Sequence, residues 1–104
     1  MIWLQDDMKK VLVEKFEDEG CCFTVDDIII KKKQEPDKDI YNIAIKDYES
    51  IPFVLTMEHD DYFGKCVYIY DTMYDETIIF EDSKQDYKVE SALKQLGYYI
   101  ANTF

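Results

Sequence analysis

Apolar residues recur along this chain with two different periods, and the changes of period mark out its elements. Leu4, Met8, Val11, Leu12 and Phe16 are spaced by threes and fours, which predicts an amphipathic helix near the N-terminus. Glu17, Asp18 and Glu19 follow, and Gly20 supplies a stop. Acids at that end oppose the helix dipole, so they either lie beyond the last turn or serve a surface purpose.

After Gly20 the period becomes two. Residues 22–48 read as two strands joined by a polar turn at 34–39, with Pro36 and Asp37 as the turn chemistry. Tyr41, Ile43 and Ile45 share one face of the second strand, and Asn42, Ala44, Lys46 and Tyr48 the other. The first strand has a rival reading. Thr24 and Asp27 match a capping box, and Ile28, Ile29 and Ile30 could continue a short helix. Three consecutive β-branched residues favour the strand. Residues 52–58 alternate Phe53, Leu55 and Met57 against Val54, Thr56 and Glu58. A turn over 60–65 containing Gly64 then leads to a strand at 66–70, and 77–80 adds another.

Ser83 and Asp86 match a second capping box, ahead of the stripe Val89, Ala92, Leu93, Leu96 and Ile100. Gly97 within that stripe marks either close contact with the sheet or an early helix end. The expected fold is α+β: one domain over residues 1–104, with an antiparallel sheet of four to five strands. An N-terminal and a C-terminal helix flank it, both on one sheet face.

Composition supports a folded chain. Of 104 residues, 47% are hydrophobic and 15% aromatic, too apolar for disorder, and so few glycines and prolines imply short connections. The opening MIWLQDDMKK has no basic stretch followed by an apolar run, so no signal peptide is expected. Cys21, Cys22 and Cys66 are odd in number and two are adjacent, which suits reduced thiols in the cytoplasm.

Charge changes the picture most. Twenty-three acids against twelve lysines give a net charge of −11, and there is no arginine. Direct attraction to nucleic acid or to an anionic membrane is therefore not expected. Basic partners are: a nucleic-acid-binding protein, a polybasic tail or cations. Residues 47–82 hold ten acids and one lysine, Lys65. Carboxylates at i and i+2 of a strand stand about 6.8 Å apart, of the order of successive phosphates, and Asp47 with Glu49 and Glu58 with Asp60 have that spacing. Solubility alone accounts for such a surface almost as well.

Reactive chemistry has weaker support. His59, the one histidine, lies in Glu58-His59-Asp60-Asp61 without a second histidine to complete a metal site, and a solvated turn explains it better. Cys66 with His59 lacks any signature of an orienting group or oxyanion hole, and Cys66 reads as a small buried hydrophobe. Cys21-Cys22 lacks metal or redox spacing and reads as one buried and one partly exposed thiol. Lys31-Lys32-Lys33 reads as a solvated strand end. No phosphate loop, zinc-protease, nucleophile-elbow or calcium-loop motif occurs, so no catalytic residue, metal or cofactor is expected.

Aromatics interleave with the acids: Tyr48, Phe53, Tyr62, Phe63, Tyr68, Tyr70 and Tyr74. Tyrosine suits interfaces, and a turn tip is a poor place for core residues. The candidate contact residues are therefore Glu58, Asp60, Asp61, Tyr62 and Phe63 at one turn, with Asp71, Asp75 and Glu76 at the next. Size, charge, the acidic span over 47–82 and the helix–sheet order resemble the small acidic inhibitors of phages and mobile elements. These include anti-CRISPR proteins and other DNA mimics. The resemblance implies a non-catalytic inhibitor occupying the basic nucleic-acid channel of a host defence enzyme. Two alternatives remain open. One is an immunity protein neutralising a toxin nuclease. The other is an accessory or structural protein that forms homo-oligomers through an apolar sheet edge.

Overall fold

The computed structural model describes residues 4–104, so the first three residues of the opening segment lie outside it. Helix α1 covers Gln5–Asp18 and buries Met8, Leu12 and Phe16 of the predicted stripe, while Val11 is half-buried and Leu4 precedes the helix and is exposed. The backbone turns out of it at Gly20, where Gly20 N–H donates to the Glu17 carbonyl (3.1 Å) and Cys21 N–H to that of Phe16 (2.7 Å). Glu17 and Asp18 fall within the last turn, and Glu19 pairs with Lys15 at 3.3 Å.

Both readings of the next segment hold part of the truth. Thr24 N–H donates to the Asp27 carboxylate at 2.8 Å and opens a single 3-10 turn, Val25–Asp27. The isoleucines then run as strand β1, Ile28–Glu35. Strands β2 (Lys38–Ile45), β3 (Phe53–Asp60), β4 (Gly64–Asp71) and β5 (Glu76–Ser83) complete one antiparallel sheet in the order β1-β2-β3-β4-β5. The fold is α+β, with five strands and a helix at each end of the chain.

Several boundaries differ from expectation. The first hairpin turns on Pro36 and Asp37 alone, because Glu35 and Lys38 already pair. The three lysines thus lie in mid-strand rather than at its end. Asp47 has φ +75 in the turn after β2, so Asp47 and Glu49 do not share a strand face. Ser83 does not cap a helix: it is still paired in β5, and its hydroxyl accepts from Gln85 N–H at 3.1 Å. Helix α2 starts six residues later and spans Val89–Thr103.

Strand alternation sorts side chains onto two faces. Ile28, Ile30, Tyr41, Ile43, Ile45, Phe53, Leu55, Met57, Val67, Ile69 and Ile79 join the inner stripes of both helices in one core. Burying one such Leu or Ile contributes about 1.5–3 kcal/mol. Gly97 is a contact between the helices rather than with the sheet: a Cβ there would stand 2.8 Å from Lys15 Cβ. With both helices on one face, the other face of the sheet is left uncovered. Among the described residues, no helix is long and apolar enough to cross a membrane.

Candidate protein-binding surface

The uncovered face follows from the strand registers. One row across it runs Lys33, Ile40, Thr56, Tyr68 and Phe80, and the next runs Glu35, Lys38, Glu58, Cys66 and Asp82. Lysines therefore mark the β1–β2 half, and carboxylates and aromatics the β3–β5 half. Neighbouring strands lie about 4.8 Å apart, which puts Glu58 and Asp82 about 10 Å from each other across β4.

The β3–β4 turn rises from the acidic half. Asp60 organises it, its carboxylate accepting the N–H groups of Tyr62 and Phe63, both at 2.8 Å. These two bonds hold the Asp60 carboxyl below the usual aspartate range. Gly64 follows at φ +88, and a Cβ there would lie 2.6 Å from the Ser83 carbonyl oxygen, so only glycine lets the strands approach. Lys84 clamps the turn from the other side by donating to the Tyr62 carbonyl.

So braced, the turn presents Tyr62 at 79% exposure and Phe63 at 46%. Their rings meet edge-on at 4.9 Å; Phe63 meets Phe80 at 6.1 Å, and Phe80 stacks on Tyr68 at 6.5 Å. The result is an aromatic ridge beside Glu58, Asp60, Asp61 and Asp82. Tyr68 is partly sunk in it, and burial, followed by the nearby charge of Glu58, raises its hydroxyl pKa.

The second group of expected contact residues lies elsewhere. Turn β4–β5 is at the opposite end of the strands, roughly 23 Å away for eight-residue strands. Asp75 (φ +56) and Glu76 are exposed there, near Met73 and Tyr74. Asp71 is not a surface acid. It is 2% exposed and accepts from the Tyr99 hydroxyl at 2.7 Å and from Met73 N–H at 2.9 Å. Burial and this carboxylate push the Tyr99 hydroxyl up to about 12. Asp71 ties the turn to α2, so its role is structural. A nearby bond from the Thr72 hydroxyl to the Pro52 carbonyl (2.7 Å) joins the two loops at this end.

His59 and Cys66 do not meet. Cys66 stands opposite Glu58 on the uncovered face, whereas His59, one position on, points to the helix side. Burial raises the Cys66 pKa, as for an inert thiol. Cys21 is half-buried and Cys22 exposed, so neither is the fully buried thiol expected of that pair. Among the described residues no three His, Cys, Asp or Glu side chains converge as metal ligands would.

Phe80, Asp82 and Lys84 escaped the sequence reading. Phe80 ends the strand expected over 77–80 and Asp82 lies beyond it, so only the register brings them beside Phe63 and Glu58. No protein-family model matches the chain, no curated protein matches it in sequence, and no solved structure matches it in fold.

Proposed function

We propose that this protein is a non-catalytic acidic inhibitor. It seats the 58–63 turn and the adjoining aromatic ridge on a basic surface of a nucleic-acid-handling enzyme, in the manner of anti-CRISPR proteins and other DNA mimics. The observation that carries this reading is the braced turn itself. Asp60 spends its carboxylate on holding Tyr62 and Phe63 out into solvent, where they contribute nothing to the core.

Exposed rings on a pre-ordered turn give contact area at little entropic cost. The surrounding carboxylates supply complementarity to lysine and arginine. Glu58 and Asp60 stand about 6.8 Å apart along β3, and Asp82 extends the set sideways. Such a grid of charge competes with phosphates for a basic channel and loses affinity as salt rises.

The test is affinity capture from host lysate at low and high salt, comparing the natural chain with Glu58→Lys/Asp61→Lys and with Tyr62→Ala. A nucleic-acid-binding enzyme should be retained at low salt, released at high salt, displaced by added DNA, and lost with both variants. Retention of the same enzyme by the charge-reversed variant would refute the reading. A tight partner indifferent to salt would point instead to an apolar interface, as an immunity protein would use.

A further inference from the structure

The uncovered face of β1–β4 differs in charge from the rest of the molecule. In a chain at −11 it carries Lys31, Lys33 and Lys38 against Glu35, Glu58 and Asp60, and so is neutral. Its middle is Ile40, Val54, Tyr68 and Tyr70, all half-buried on a face that neither helix covers. Beside them opens a hollow of about 240 Å³ lined by Ile29, Lys31, Asn42, Ala44, Glu49 and Pro52. Two copies at −11 repel over most of their surfaces, and a neutral, partly apolar face is where they can meet.

We propose that this face packs on the same face of a second copy, as two layers of a β-sandwich about 10 Å apart. The two-fold axis relating them is parallel to the strands and runs between β2 and β3. Charge fixes its direction and its place. An axis across the strands lays β1 on β1 and brings the lysines of both copies together. Parallel to the strands, an axis over β2 sets Lys38 against itself, and one over β3 sets Glu58 against itself. One over β4 sets Glu58 against Asp82. Each of these puts like charges face to face, a costly arrangement at an interface. An axis between β3 and β4 matches Lys38 to Asp82, but gives each copy a single lysine against Glu58, Asp60 and Asp82. Axes nearer either edge overlap only two strands.

Between β2 and β3 no like charges meet in the paired rows. The second copy's β3 lies over β2 and its β4 over β1. Lys38 then faces Glu58 of the second copy, twice by symmetry. Ile40 faces Thr56 and Asn42 faces Val54, while Tyr68 and Tyr70 come over Lys33 and Lys31. Tyr70 thus stands above the hollow between Lys31 and Ala44, with Glu49 at its rim to accept from the hydroxyl. A tyrosine seated in a pocket is a common anchor of an interface. Four overlapping eight-residue strands cover roughly 19 by 26 Å, about 1,000 Å² over both copies, the lower limit of a specific interface. Of the surface proposed above, Glu58 and Tyr68 enter the overlap, and Tyr62, Phe63, Phe80 and Asp82 stay open on each copy.

The decisive experiment is sedimentation of the purified chain and its variants over a concentration series, each variant first shown by circular dichroism to fold. A concentration-dependent dimer is expected. Glu58→Lys sets lysine against lysine and Lys38→Glu acid against acid, so each alone should weaken the dimer about tenfold or more. Mixed in equal amounts, these two variants should pair with each other, because every facing pair is then opposite in charge. Mixing leaves the neighbours within each chain unchanged, so the gain comes only from contact between chains. Tyr70→Ala should weaken the dimer about tenfold, and Phe80→Ala should leave it unchanged. A natural chain that stays monomeric up to about 1 mM overturns the proposal. So does a mixture no more associated than its parts, or a dimer indifferent to Tyr70→Ala. No other protein enters the experiment, so its outcome is separate from that of the inhibitor reading.

Discussion

Two aspartates of the acidic span show how little a carboxylate's presence in sequence says about its use. Asp60 is exposed and braces a turn through two backbone N–H groups; Asp71 is buried and holds α2 to the sheet through Tyr99. Removing the Tyr99 hydroxyl takes the bond from Asp71 Oδ2 and leaves that buried carboxylate only Met73 N–H on Oδ1, so Tyr99→Phe should cost about 1–3 kcal/mol, read by urea denaturation at neutral pH. The pH dependence has a definite sign. An unfolded tyrosine ionises near its ordinary value of 10, whereas folded Tyr99 keeps its proton up to about 12. Its contribution is therefore complete below 10 and is lost as pH rises towards 12. Stability should fall over that window in the natural chain and fall less in Tyr99→Phe. Gly64→Ala should also destabilise, by about 2 kcal/mol, since the new methyl meets the Ser83 carbonyl at a φ that alanine resists.

At the scale of elements, the two periods of apolar residues located both helices and the central strands, because burial against a single core enforces them, while β1 rested on its run of isoleucines. The ends were harder to read, since local motifs there compete with pairing. Ser83 and Asp86 have the residue types of a helix cap, yet Ser83 completes β5 opposite Lys65, and residues 84–88 carry the chain from sheet to helix layer. Gly97 read as a close contact with the sheet or an early helix end, whereas α2 runs on to Thr103 and the contact is with α1, because periodicity places a residue on a face without saying what covers it. The contact with Lys15 yields a prediction against intrinsic propensity. Alanine should favour an isolated helix by about 1 kcal/mol over glycine. Gly97→Ala should nonetheless lower the thermal midpoint, since its methyl would lie 2.8 Å from Lys15 Cβ, an atom tied to the α1 backbone.

For the whole molecule, net charge and its concentration in residues 47–82 were plain from composition, but their arrangement was not. A meander sends alternate turns to opposite ends, so acids close in sequence part company, while Glu58 and Asp82, 24 positions apart, share one row of the uncovered face. That face is polarised, with lysines towards β1 and carboxylates with aromatics towards β5. The central claim is that the braced 58–63 turn competes with nucleic acid for a basic protein surface. Its most direct measurement is the affinity for the captured enzyme as a function of salt, with and without saturating duplex DNA. Affinity that falls steeply with salt and vanishes when DNA fills the enzyme's channel is the predicted result. Undiminished binding to the DNA-filled enzyme, flat across the salt series, would contradict it.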